Sequence, residues 1–246
     1  MGSVVGGDLT VLVVEHEPGA PAGWLGEELE AAGATLDVRR PWTGQPLQVP
    51  DDLSGIDAVL VLGGAMAAWD DDVAPWLPDT RSLVRAAERD GVPVLGVCLG
   101  HQLATRALGG EVGRNPAGTS VAVLPVQWAP DAAQDPLFSA MTDTALAVHW
   151  NDDAVSALPS GAAVLATSPD GAVQAARLGT HVWGVQFHPE AGPSIIDRWV
   201  REDGAPYVAA GFDLERYTRD VADHETELRA SCGRLAASFL RLATSR

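Results

Sequence analysis

Residues 94–108, VLGVCLGHQLATRAL, pass from a short apolar run directly into a helical pattern. The run Val94–Val97 is typical of a strand that is buried on both faces of a sheet. The apolar spacing after Cys98 predicts a helix from about Leu99 to Leu108, which Gly109-Gly110 ends. A buried strand that enters a helix through a glycine-bearing turn indicates an α/β fold.

The same alternation of strand and helix precedes this segment. Strand patterns and helical patterns follow one another at Leu9–Val14, Trp24–Ala32, Thr35–Val38, Ala58–Leu62 and Arg81–Arg89. We therefore predict an open, mostly parallel sheet flanked by helices. Ligands of such sheets bind at the carboxyl ends of the strands, where the turns at Gly63-Gly64 and at Cys98 both fall.

The second half of the chain is β-rich and then helical. Strand patterns occur at Val121–Val126, Leu146–Trp150, Ala163–Thr167, Val173–Arg177 and His181–Phe187, and the last two predict an antiparallel hairpin. Helical patterns follow Pro193 and end with Leu214–Ala243. We expect a single domain over residues 1–246, with a core at about 8–200 and a helical C-terminal extension at about 201–246.

Composition excludes several classes of partner. The 246 residues carry a net charge of −17 and include no lysine, so the surface repels phosphate backbones and anionic membranes. Apolar runs are too short to cross a bilayer, and no signal peptide is apparent. We expect a cytoplasmic protein that binds neither nucleic acid nor membrane.

Cys98 lies at the centre of a Gly-x-Cys-x-Gly turn that runs from Gly96 to Gly100. Such a turn puts the central side chain on a sharp bend, where flanking glycines avoid collision with the neighbouring backbone. The dipole and free N–H groups of the following helix favour a thiolate. Cys98 is therefore a candidate nucleophile; the alternative is a buried strand-end cysteine packed between two glycines.

A second motif, Gln186-Phe187-His188-Pro189-Glu190, ends the last predicted strand. Residues i and i+2 of an extended chain point the same way, so the imidazole of His188 and the carboxylate of Glu190 are expected side by side. Such a carboxylate fixes the tautomer of the imidazole and stabilises the imidazolium. The two motifs together predict a nucleophile, a base and an orienting group.

The cysteine turn, the His-Pro-Glu motif about 90 residues later and Gly63-Gly64 after the preceding strand resemble the class I (triad) glutamine amidotransferases. The likeness is to stand-alone domains similar to the glutaminase domain of GMP synthase, and it covers roughly residues 8–200. It implies that Cys98 attacks the side-chain amide of glutamine and forms a γ-glutamyl thioester, releasing ammonia or an amine. His188 would act as acid and base, and Glu190 would orient it.

The resemblance also implies roles for residues around the triad. It places oxyanion-hole donors at Gly64 and Leu99, and substrate contacts at Gly63, Gln102 and His149. In the segment His149–Asp153, either His149 or Asn151 can occupy the position of the family's histidine.

Two departures from the family pattern leave the substrate open. Ala65 follows Gly64 where relatives commonly have proline, and a Glu-Ile-Gly-Trp-like segment is missing near Gly118–Val121. The chain either hydrolyses glutamine and passes ammonia to a separate synthase subunit, or hydrolyses another γ-glutamyl compound by itself. The alternative is a partner-gated or non-catalytic binding or regulatory subunit.

Other polar and reactive residues are given no catalytic role. We expect no nucleotide cofactor, because no Gly-x-Gly-x-x-Gly or Walker-type loop is present, and no metal site, because no matching ligand set lies near Asp70-Asp71-Asp72. Asp70-Asp71-Asp72 is interpreted as a solvated loop, and Cys232 as a small core residue. His101 is expected to pack; a structural role is favoured for His16, although it could line the cleft.

Overall fold

A computed structural model describes residues 9–47 and 53–245 of the chain. The strands are β1 (Leu9–Val14), β2 (Ala34–Arg39), β3 (Ala58–Val61), β4 (Val94–Val97), β5 (Glu111–Arg114), β6 (Ser120–Pro125), β7 (Gln127–Trp128), β8 (Leu146–Asn151), β9 (Asp153–Ala157), β10 (Ala163–Thr167), β11 (Val173–Arg177) and β12 (Val182–Val185). The α-helices are α1 (Gly23–Ala31), α2 (Leu77–Asp90), α3 (Leu99–Ala107), α4 (Pro193–Asp203), α5 (Ala205–Ala209), α6 (Leu214–Asp223) and α7 (Glu225–Thr244). Short 3-10 helices lie at Pro41–Thr43, Pro130–Gln134 and Ser139–Met141.

Eight strands form the main sheet in the order β2-β1-β3-β4-β12-β11-β10-β7. The first five are parallel: β1 pairs with β2 and β3, and β4 pairs with β3 and β12. The remaining strands continue the sheet antiparallel, and β11 with β12 forms the predicted hairpin. The fold is therefore the mostly parallel α/β arrangement that the sequence predicts.

The apolar residues of the central strands are buried on both faces of this sheet. In β1, Val11 and Val13 pack on one side, and Leu12 and Val14 on the other, because successive side chains point to opposite faces. Helices α1 and α7 cover the first side, and α2 and α3 cover the second. Two-sided burial explains why these strands are continuous apolar runs rather than alternating ones.

The structure differs from the sequence-based expectation in the second half of the chain. The pairs β5 with β9 and β6 with β8 form separate two-stranded antiparallel sheets, and the sequence predicted neither β5 nor β9. The helical stretch expected at Leu214–Ala243 is divided at His224 into α6 and α7. None of the helices in the described ranges is both long and apolar enough to span a bilayer.

The carboxyl ends of four neighbouring parallel strands meet at one edge of the main sheet. Strands β1, β3, β4 and β12 lie side by side and run in the same direction. The residues that follow them are Glu15–Glu17, Leu62–Gly64, Cys98 and Gln186–Glu190. Register in the sheet thus brings together segments that lie far apart in the chain, at the edge where α/β folds bind ligands.

Three buried histidines make the stability of the fold sensitive to acid. His16, His101 and His149 are each 0% exposed. Burial lowers the pKa of His16 to about 3 and the pKa values of His101 and His149 to about 4, the last helped by the charge of His188. All three are therefore neutral in the folded chain at a pH where the unfolded chain binds protons.

We expect the free energy of unfolding to fall as the pH is lowered from about 6.5 towards 4, because only the unfolded state takes up the protons in this window. Each histidine contributes up to about 1.4 kcal/mol per pH unit, so the three together contribute up to about 4. Urea unfolding at pH 7, 6 and 5 measures the effect. A constant free energy between pH 6 and 5 would contradict it.

Candidate active site

Cys98 lies in a strained turn between β4 and α3. Its φ of 50° and ψ of −107° make it the single non-glycine residue with positive φ among the residues that the structure describes. Its N–H donates to the carbonyl oxygen of Val185 at 2.8 Å, which ties the turn to β12. Strain of this kind persists where the surrounding structure enforces it, and it is typical of nucleophile positions.

The glycines on either side of the cysteine allow the turn to form. A Cβ at Gly96 would lie 2.5 Å from the carbonyl group of Gly100. A Cβ at Gly100 would overlap the carbonyl oxygen of Val61 at the end of β3. Both positions therefore require glycine, and the close approach of backbone brings β3, β4 and α3 together around Cys98.

His188 and Glu190 form a buried pair beside the cysteine. The Nδ1 atom of His188 is 2.7 Å from Oε1 of Glu190, and these residues are 4% and 1% exposed. The backbone holds both: the His188 N–H donates to the Val148 carbonyl, and the Glu190 carbonyl accepts from the Trp24 N–H. The ring of Trp199 packs edge-on against the imidazole at 4.8 Å. The pair has the geometry expected of a base and its orienting carboxylate.

Both ring nitrogens of His188 face hydrogen-bond acceptors. Nδ1 faces the Glu190 carboxylate, and Nε2 lies 3.2 Å from the carbonyl oxygen of Trp150. Burial alone lowers the pKa of His188, but the charges of Glu190 and Cys98 outweigh it and raise that pKa well above its usual value. The resting site therefore favours an imidazolium ion next to the sulfur, which is the charge state of an activated thiol.

A chain of amide groups holds the sulfur from the other side. The Nε2 atom of Gln186 donates to Sγ of Cys98 at 3.5 Å, and its Oε1 accepts from Nε2 of Gln102 at 3.2 Å. Gln102 also donates to the Asp153 carbonyl at 3.2 Å. The sequence analysis assigns no role to Gln186. Its i, i+2 spacing from His188 is the one feature of the sequence that indicates a shared orientation of the two side chains.

The Gly63-Gly64 turn lies next to Cys98 and His188. A Cβ at Gly63 would lie 3.5 Å from Cε1 of His188 and 3.7 Å from Cβ of Cys98. Neither the Gly64 N–H nor the Leu99 N–H donates to another part of the described chain, so both are available to a ligand. Gly64 lines the cavity, whereas Leu99 does not, so the oxyanion hole that the resemblance implies stays a prediction.

Glu17 supports this turn at the position where relatives carry proline. The Ala65 N–H, a group that proline would lack, lowers the pKa of the Glu17 carboxyl, although burial raises that pKa overall. His16 packs behind the turn, with its Cβ beside Gly64, and its Nδ1 accepts from Nε1 of Trp76 at 3.0 Å. His16 is thus structural, as favoured, while Glu17 lines the cleft and was not singled out from the sequence.

A cavity of about 640 Å³ opens over the cysteine. Among the residues that the sequence singled out, its lining includes Gly64, Cys98, Gln102 and His188. His149 was expected to contact substrate; its side chain is fully buried and does not line the cavity, whereas Asn151 does. The strand ends at Asn151, so His149 lies one step deeper on the same face.

Residues from the C-terminal extension form one wall of the cavity. Helix α4 ends in Glu202 and Asp203 at the rim, and Tyr207 and Phe212 follow on and after α5. Tyr207 packs edge-on against Trp150 with ring centroids 4.9 Å apart, and its hydroxyl donates to Asp152 at 3.3 Å. No sequence motif marks this segment as part of the site, so its position beside the cavity is a finding of the structure.

Comparisons with known proteins agree with this arrangement. Residues 23–203 match the sequence profile of the family described as Glutamine amidotransferase class-I. The glutamine-hydrolysing GMP synthase of Thermotoga sp. (strain RQ2) is 35% identical over 141 residues, which are 56% of this chain and 25% of the synthase. Gamma-glutamyl peptidase 5 of Arabidopsis thaliana is 31% identical over 153 residues, 61% of this chain and 60% of the peptidase.

The solved structures agree at the level of the fold. A crystal structure of a glutamine amidotransferase from Thermotoga maritima has a TM-score of 0.85 to this chain at 24% identity, covering 97% of this chain and 99% of that one. The present chain therefore shares its architecture over nearly the full length, while it spans only about a quarter of the synthase named above.

Proposed function

Because the chain belongs to the class I glutamine amidotransferase family, we propose that it hydrolyses a γ-glutamyl amide bond through a thioester on Cys98. The observation that carries this proposal is the strained Cys98 turn, which opens into the cavity beside the His188–Glu190 pair. The likeness to proteins named GMP synthase and gamma-glutamyl peptidase supports the class of bond.

Acylation follows from the resting charges. The Cys98 thiolate attacks the side-chain carbonyl carbon, and the N–H groups of Leu99 and Gly64 bind the oxyanion, each worth about 3–4 kcal/mol in measured hydrolases. As the C–N bond breaks, Nε2 of His188 gives its proton to the departing nitrogen. Ammonia or an amine leaves, and the γ-glutamyl group remains on sulfur. The Glu190 carboxylate accepts a hydrogen bond from the Nδ1–H of His188 throughout the reaction.

Deacylation uses the same histidine in the opposite direction. Nε2 of His188, now without its proton, takes one from a water molecule, which attacks the thioester carbonyl. The C–S bond breaks, glutamate or a γ-carboxylate product leaves, and the thiolate and imidazolium are restored. Gln186, which donates to Sγ, stabilises the departing thiolate.

Acid quenching during turnover tests the proposal. We expect glutamine or a γ-glutamyl amide to leave a γ-glutamyl adduct on the peptide that contains Cys98, detected by mass spectrometry. Cys232 is the internal control: it is 0% exposed, and burial together with the charge of Glu190 raises the pKa of its thiol far above the ordinary value. Equal modification of both cysteines, or modification of neither while product forms, would contradict the thioester mechanism.

A second function has support from the relatives that carry a synthase name. In this alternative the chain supplies ammonia from glutamine to a separate synthase subunit. The two functions differ in substrate range: an ammonia donor turns over glutamine alone, whereas a free-standing hydrolase also turns over substituted γ-glutamyl amides. The cavity volume of about 640 Å³ lies within the range of roughly 300–1,000 Å³ that is typical of small-molecule sites, so it is compatible with both functions.

A further inference from the structure

The cavity over Cys98 carries an excess of negative charge. Two basic side chains line it within the described part of the chain: Arg114, which pairs with Asp153 at 3.0 Å, and His188, which pairs with Glu190 outside the lining. The carboxylates that line the same cavity are Glu17, Asp70, Asp152, Asp153, Glu202 and Asp203. A γ-glutamyl group carries one ammonium and one carboxylate, so its net charge is zero and leaves this excess unmatched.

The carboxylates raise one another's pKa, and their charge is compensated only in part, by Arg114 paired with Asp153 and by Arg198 paired with Glu202 at 2.8 Å. Burial raises the pKa of Asp153; Arg114 lowers it, but the charges of Asp152 and Asp70 raise it further. Burial also raises the pKa of Glu17, and the charge of Asp203 adds to that effect. A cation placed among these groups would relieve their mutual repulsion.

A residue of the cavity lining, Asn151, also carries a hydrogen-bond acceptor without a partner in the described chain. Asn151 is 6% exposed, lines the cavity and donates through Nδ2 to the Asp153 carbonyl at 3.1 Å. This bond fixes the orientation of the amide, and its Oδ1 has no hydrogen-bond partner in the described chain. A buried acceptor without a donor is costly unless a ligand supplies one.

Aromatic rings lie next to these acceptors. Trp150, Tyr207 and Phe212 form a continuous set, with ring centroids 4.9 Å and 6.2 Å apart, and all three line the cavity. The Tyr207 hydroxyl reaches Asp152 at one end of the set, and Glu202 and Asp203 lie at the rim. Aromatic faces beside carboxylates suit a methylene chain that ends in an ammonium group.

From this arrangement we propose that the substrate is a γ-glutamyl amide of an aliphatic amine that carries a second ammonium group, such as a diamine. The methylene chain of the leaving amine packs along the aromatic rings, and its ammonium lies among the carboxylates of Asp152, Glu202 and Asp203. The inference rests on the proposed function, since it names the leaving group of that reaction.

Three γ-glutamyl amides that differ only in end-group charge test this preference. The probes are the 4-aminobutyl amide, the neutral n-pentyl amide and the anionic 3-carboxypropyl amide, with glutamine measured alongside. At low salt we expect kcat/KM for the cationic probe to exceed that of the neutral one by roughly tenfold, and the anionic probe to be poorer still. Added salt should shrink the difference.

The outcomes separate this inference from the function on which it rests. Equal Cys98-dependent turnover of the three probes overturns the charge preference and leaves γ-glutamyl hydrolysis standing. Turnover of glutamine alone also overturns it and supports the ammonia-donor function. Absence of Cys98-dependent turnover for every compound overturns the proposed function, and the inference with it.

Two matched double variants test whether the carboxylates at the rim of the cavity cause the preference for the cationic probe. Glu202→Gln with Asp203→Asn removes two exposed rim carboxylates, whereas Glu215→Gln with Glu227→Gln removes two exposed carboxylates that do not line the cavity. We expect the ratio of cationic to neutral kcat/KM to fall about threefold or more in the first variant and to stay unchanged in the second. An equal fall in both would assign the effect to overall charge and overturn the proposed subsite.

Discussion

Replacing Cys98 with serine is expected to lower kcat for any γ-glutamyl substrate by roughly 10³–10⁶-fold, the range seen when a covalent nucleophile is removed. Serine keeps the shape of the side chain, but its hydroxyl is far less acidic than a thiol, so the neighbouring imidazolium cannot hold it as an anion. The thermal midpoint should change little, since Cys98 lies at the cavity and the turn depends on its glycines.

Steady-state kinetics on glutamine and on the γ-glutamyl amides measures this loss. Cys232→Ala is the matched control, because it removes the other thiol from a site on α7 that does not line the cavity. Its kcat should stay close to that of the unaltered protein. If the serine variant retained activity within tenfold of the unaltered protein, Cys98 would not be the nucleophile.

Replacing Gly100 with alanine is expected to destabilise the fold by about 3 kcal/mol, the upper part of the range for overpacked sites. The added Cβ would overlap the carbonyl oxygen of Val61, and no side-chain rotation can separate a Cβ from a backbone oxygen. Helix α3 would have to move from β3, which displaces the Leu99 N–H and the cysteine turn. We therefore expect activity to fall along with stability.

Gly113→Ala provides the comparison for this steric effect. Gly113 lies in β5, its φ is not positive, and a Cβ there would meet no atom within 4 Å. The Gly113→Ala substitution should change the free energy of unfolding of the protein by no more than about 0.5 kcal/mol. Urea unfolding of both variants measures the difference. Equal free energies of unfolding for the two variants would contradict the expected steric cost of a Cβ at position 100.

The parallel half of the fold could be predicted because its strands are buried on both faces. Two-sided burial converts Leu9–Val14 and Ala58–Val61 into continuous apolar runs, which the sequence displays directly. The pairing of β6 with β8 outside the main sheet was not predictable in this way. Local patterns define a strand but leave its partner to long-range packing.

The candidate site likewise contains features that the sequence predicts and features that it does not. The elbow at Cys98 and the i, i+2 spacing of His188 and Glu190 are local, and the spacing agrees with the geometry found. Whether His149 or Asn151 reaches the cavity could not be predicted, because the two lie on one face of a strand and differ in depth. The wall at residues 202–212 owes its place to tertiary packing, so no local signal marks it.

The alignment of strand ends that builds the site also has a consequence for how activity returns after unfolding. Cys98 and its partner Gln186 are 88 residues apart in the chain, and the pairing of β4 with β12 that joins them spans a similar distance. Closing so long a loop costs entropy before any contact compensates for it, which places such pairings late in folding. Helices and local hairpins can form first, so the catalytic centre is among the last parts of the molecule to assemble.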